Sequence, residues 1–104
     1  DPGVQVQSAL LLGTLLDTES LEGLARLLYS DTALVAHAGT RALAYIGLED
    51  IHVKGDVARA LTAALTRVKK EDRERMILRH LRSLSQRNFG ENNEGWIEWA
   101  NELP

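Results

Sequence analysis

The sequence predicts an all-α fold of stacked antiparallel helix pairs, about five to six helices in 104 residues, and three observations predict it. Apolar residues recur at three- and four-residue intervals along most of the chain, the spacing of one helix face. Val, Ile and Thr nowhere gather in the alternating runs that a half-buried strand needs. Part of the pattern also repeats, because Val4, Ser8, Leu11 and Leu12 stand 31 residues before Val35, Gly39, Ala42 and Leu43. That period falls in the range of helical repeat units, each of which buries one face only against its neighbours.

The elements follow in order. Val4, Val6, Ala9, Leu10, Gly13 and Leu16 mark a first helix from Val4 to Leu16, with Pro2 at its start. Asp17 and Thr18 cap the next, which runs from Glu19 to Tyr29 on Leu21, Leu24, Ala25, Leu27 and Leu28 and stops at Ser30 and Asp31. A third helix spans about Thr32 to Ile46, capped by Asp31 and ended by Gly47, a residue that accepts the left-handed conformation. Leu48 to Gly55 has no sustained stripe and reads as a loop longer than the other connections. Asp56 then caps a fourth helix, Val57 to about Lys69, with a cationic end that matches a helix C-terminus. The fifth, Asp72 to Ser85, sets Met76, Ile77, His80, Leu81 and Leu84 on one side and Arg75, Arg79 and Arg82 on another. A polar turn around Phe89 and Gly90 precedes a short last helix, Asn93 to Asn101, which places Trp96 and Trp99 on one face.

Composition narrows the function classes. With 44% hydrophobic and 26% charged residues the chain has the balance of one globular domain. No apolar run reaches the roughly 18 to 20 residues that cross a bilayer, so no membrane insertion is expected. The absence of cysteine excludes disulfides, thiolate catalysis and Cys-ligated zinc, and leaves the compartment, cytoplasmic or periplasmic, open. Charge is uneven: Arg67 to Arg87 holds eight basic residues against three acids, while the rest of the chain holds four against twelve. Such asymmetry can mark an anion-binding face.

The segment Asp31 to Leu43, with its valine, small residue, alanine and leucine, resembles the second helix of a unit of the HEAT-repeat family, in its bacterial HEAT-like form. Asp1 to Gly13 is similar, and Met76 to Leu84 is a degenerate third copy whose Leu84 lies 41 residues after Leu43. About ten extra residues are thus assigned mostly to the loop before Asp56. The arginine that many HEAT units carry after the valine is replaced by Gln5, Ala36 and Ile77. Leu84 to Gly90 followed by Trp96-Ile97-Glu98-Trp99 resembles the closing segment of many such domains. The resemblance implies a right-handed α-solenoid over residues 1–104, closed by a cap over 88–104 built on Phe89, Gly90, Trp96 and Trp99. It also implies the C-terminal part of a longer protein, with an uncovered first helix through which copies could associate.

No catalytic constellation accompanies this scaffold. His37, His52 and His80 lack the His-Glu-x-x-His spacing, the serines lack a nucleophile elbow, and no glycine-rich phosphate loop is present. No metal site and no cofactor are therefore expected. The resemblance implies instead a non-catalytic protein-protein interaction scaffold, whose second helices line a concave surface. The exposed candidates are His37, Thr40, Arg41, Tyr45, Arg75, Arg79 and Arg82, and the partner is another protein or another part of the same longer chain. The alternative is nucleic acid held by the Arg67 to Arg87 region, as in HEAT-like proteins that resemble DNA-binding glycosylases. The acidic balance of the whole chain and the helix-spaced pair Glu71 and Arg75 weigh against it.

Overall fold

The computed structural model describes residues 21–104. The helix expected at Val4 to Leu16, its copy of the repeat, the Asp17 and Thr18 cap and any association through that first helix lie outside the described residues. Within them stand five helices and no strand: α1 (Leu21–Leu27), α2 (Ala33–Glu49), α3 (Lys54–Arg67), α4 (Glu71–Ser85) and α5 (Asn93–Glu102). Neighbours in sequence pack together from α1 to α4, and alternate helices also meet, α2 with α4 and α3 with α5. One hydrophobic core runs through all five. It joins Leu24 and Leu28 to Leu43 and Ile46, then to Val57, Leu61 and Leu65, Ile77, Leu81 and Leu84, and finally Trp96 and Trp99.

The local chemistry accounts for most of these helices. Alanine-rich runs in α2 and α3 favour helix while allowing close approach. In α4, Glu71, Asp72 and Glu74 occupy the first turn and Arg82 the last, each sign placed where the helix dipole favours it. Asn92 caps α5 by accepting a hydrogen bond from the Gly95 amide at 3.2 Å. At the other end of α5, Arg59 of α3 donates through Nη1 to the carbonyls of Ala100 and Leu103, each at 3.1 Å. The Ala100 carbonyl also accepts the Leu103 amide at 3.3 Å, so the Arg59 bonds reinforce the helix end and fasten α5 to α3.

Several boundaries differ from the sequence expectation. Helix α2 does not stop at Gly47 but continues through it to Glu49. Gly47 is buried where α2 crosses α3 and α4, and a Cβ there would lie 3.0 Å from Val57 Cγ1 and 3.2 Å from Leu84 Cδ2. The glycine thus serves close packing, not helix termination. The long loop expected from Leu48 to Gly55 contracts to Asp50 through Val53, because α3 begins at Lys54. Asp56 falls inside the first turn of α3 and pairs with Arg59 at 3.0 Å, while Val53 occupies the N-cap position. Thr32, not Asp31, is the N-cap residue of α2.

The segment from Phe89 to Trp99 is built around an edge-to-face aromatic row. Phe89 and Trp96 have ring centroids 4.8 Å apart, and Trp96 and Trp99 have centroids 6.1 Å apart, both pairs near perpendicular. Gly90 has a positive φ of 60°, and its carbonyl accepts the Trp96 indole N–H at 3.1 Å. Both tryptophans are core residues, with Trp96 fully buried.

Candidate functional site

The outward face of α2 and α4 collects most of the residues singled out from sequence. Along α2, Leu34, His37, Arg41, Tyr45 and Leu48 succeed one another at three- or four-residue steps and are all exposed, Leu34 at 64% and Leu48 at 55%. Thr40 does not belong with them. It lies on the inward stripe with Ala36, Leu43 and Gly47, is 0% exposed, and its hydroxyl donates to the Ala36 carbonyl at 2.8 Å. A partner on this face cannot reach it, because a single-residue step on a helix rotates a side chain by about 100°. On α4, Arg75, Arg79 and Arg82 are exposed, while Met76, Ile77, Leu81 and Leu84 turn inward.

His37, Arg75 and Arg79 line one cleft of about 450 Å³ between the two helices. Its walls also include Ala33 of α2 and Asp72, Arg73 and Met76 of α4. Tyr45 and Arg82 lie on the same pair of helices beyond this cleft, and Arg41 is close enough to His80 to act on its charge. Among the described residues, no carboxylate approaches within 4.0 Å of Arg41, Arg75, Arg79 or Arg82. The expected Glu71 and Arg75 ion pair does not form. The acids that interrupt the basic run therefore neutralise less of it than their spacing implied. The remaining pair on α4 is Asp72 with Arg73, at 3.7 Å.

Arg73 is the residue whose role spacing alone did not reveal. It is 4% exposed, and its guanidinium donates through Nη1 to the Ser30 carbonyl at 2.7 Å and through Nη2 to the Asp31 carbonyl at 3.1 Å. It thereby ties α4 to the corner between α1 and α2 and places a fixed positive charge in the cleft wall. Its Nε is buried with no hydrogen-bond partner. A signal was available: Arg73 stands three and four residues before Met76 and Ile77, on the buried stripe of its helix.

His80 is half-buried on α4 beside this charge cluster. Burial first, then His37, Arg79 and Arg41, hold its pKa below the ordinary 6.5. The unfolded chain therefore takes up this proton at a higher pH than the folded one. The His80 contribution to stability is fully present above pH 6.5 and is lost as pH falls through 6.5 toward the folded value. Urea unfolding at neutral and mildly acid pH is expected to show this loss, and His80→Gln to flatten it. An unchanged pH dependence in the variant would mean that other groups carry it.

Among the described residues, no group of three His, Asp or Glu side chains could hold a metal ion. None of the described helices is long and apolar enough to cross a membrane. The chain matches no protein-family model, and no curated sequence or solved structure is significantly similar to it.

Proposed function

We propose that the chain is a non-catalytic interaction module, in the manner of a HEAT-like α-solenoid, which docks a partner protein or another part of a longer chain on the outward face of α2 and α4. The observation that carries this reading is the composition of that face. Leu34, Tyr45 and Leu48 lie exposed among His37, Arg41, Arg75, Arg79 and Arg82, whose arginines have no carboxylate within reach among the described residues. Apolar side chains interleaved with arginine and an aromatic residue are the mixture enriched at protein interfaces. The solenoid reading is supported by the meeting of alternate helices, α2 with α4 and α3 with α5, as stacked helix pairs require.

The test places a photo-crosslinking residue at Tyr45 and, as a control, at Ile97 on the outer side of α5. Specific adducts at position 45 alone, lost when Arg79 and Arg82 are both changed to glutamate, are expected. Each charge-assisted contact removed should weaken binding by about tenfold. Adducts at position 45 that survive the reversal would place the partner elsewhere. The same arginines favour a second reading, nucleic-acid binding. Fluorescence anisotropy of a labelled duplex decides it: no binding even at low ionic strength removes that reading.

A further inference from the structure

We infer that the cleft between α2 and α4 is a binding site for a dianionic phosphate group, carried by a phosphorylated side chain or free in solution, held by Arg75, Arg79 and His37. The inference rests on the reading of this face as a partner-binding surface and names the chemistry recognised there.

Charge and geometry converge on the one concavity. Three arginines and His37 line it against a single carboxylate, Asp72, which lies 3.7 Å from Arg73 Nε. The terminal nitrogens of Arg73 are occupied by the Ser30 and Asp31 carbonyls, so this side chain supplies a fixed charge and not a mobile hand. Arg75 and Arg79 are the mobile hands. They stand one turn apart on α4, exposed and without carboxylate partners among the described residues. Two guanidinium groups on one side of a cleft can each offer paired N–H donors to phosphate oxygens, a match that lysine does not reproduce. At about 450 Å³ the cleft exceeds a lone phosphate and leaves room for the group that bears it, with Ala33 and Met76 as apolar lining. A dianionic phosphate is favoured over a nucleic-acid backbone because the charge is gathered around one concavity. A backbone carries one charge per phosphate and needs a row of cations along a groove.

The experiment follows backbone amide NMR signals while the protein is titrated with inorganic phosphate, with sodium chloride at matched ionic strength as the blank. A phosphoserine peptide and a DNA duplex form two further arms. Saturable shifts centred on His37, Arg75 and Arg79 are expected, weakened about tenfold by Arg79→Gln and less by Arg79→Lys. Arg67→Gln, at the end of α3 and outside the cleft, should leave them unchanged. Bound anion should also raise the titration midpoint of His80, by offsetting the repulsion from His37 and Arg79. Tighter binding of the peptide than of phosphate assigns the anion to a phosphorylated partner, and equal binding assigns it to free phosphate. No saturable shift with either, or shifts unaltered in the Arg75→Gln, Arg79→Gln double variant, overturns the site. A duplex that binds more tightly than the peptide and is weakened equally by Arg82→Gln overturns it in favour of nucleic acid. Because neither probe is the partner itself, silence with both phosphate and the peptide sinks the cleft site while the crosslinking test still decides the face.

Discussion

Replacing Trp96 by alanine is expected to cost about 3 to 5 kcal/mol, the range for deleting a fully buried large aromatic side chain. Trp96 is 0% exposed, its ring stands nearly perpendicular to those of Phe89 and Trp99, and its indole N–H bonds the Gly90 carbonyl. Truncation therefore removes core volume and leaves α5 with little apolar hold on α3 beyond Trp99 and Ala100. Domains of this size have total stabilities of roughly 5 to 15 kcal/mol, so the variant should unfold at a much lower urea midpoint. Ile97→Ala, on the exposed side of the same helix at 37%, serves as the control and should lose far less. Equal midpoints for the two variants would show that α5 unfolds separately from the rest. Trp96→Phe should fall between them, since a ring remains but the bond to Gly90 is lost.

Gly39→Val is expected to destabilise by about 2 to 3 kcal/mol, at the upper end of overpacking effects. A Cβ at Gly39 would sit 2.8 Å from Leu27 Cβ and 3.2 Å from the Leu24 carbonyl oxygen. Both atoms are held by the backbone of α1, so no side-chain rotation relieves the overlap and the helices must separate. A Cβ at Gly23 in α1 would meet nothing within 4 Å, and Gly23→Ala should stabilise by up to about 1 kcal/mol through helix propensity alone. Opposite signs for the two substitutions are the expected result, read from urea midpoints and from hydrogen exchange across α1 and α2. A stable Gly39→Val protein would mean that α1 contributes little to the cooperative unit.

These two sites differ in how far they could be read in advance. Trp96 and Trp99, three residues apart in a short apolar helix, announce a shared buried face. Gly39 stands among the small residues of the repeated pattern, where a close helix crossing is expected. Gly47 misleads, because a glycine at the end of an apolar stripe has the same local signature whether it stops a helix or lets another helix approach. Only Val57 and Leu84, ten and thirty-seven residues away, distinguish the two.

The candidate site divides in the same way. The exposure of His37, Arg41, Tyr45, Arg75, Arg79 and Arg82 was legible from helical spacing, since stripes of apolar residues define their opposite faces. Thr40 was misplaced because threonine is tolerated on either side of a helix, and its hydroxyl can satisfy itself on the Ala36 carbonyl. The absence of a Glu71 partner for Arg75 was also hidden, because four-residue spacing permits such a pair without enforcing it against the entropy of two long side chains.

Helical periodicity was enough to settle the all-α class, the approximate spans of the described helices and which arginines face outward, because each of these rests on spacing within a few turns of one helix. It took the packed molecule to show that His37, Arg75 and Arg79 share a cleft, that Arg73 is a buried tie to Ser30 and Asp31, and that Gly47 is a crossing point. Those outcomes depend on which helices meet and at what distance. That is a property of packing between segments about forty residues apart, and no local spacing contains it.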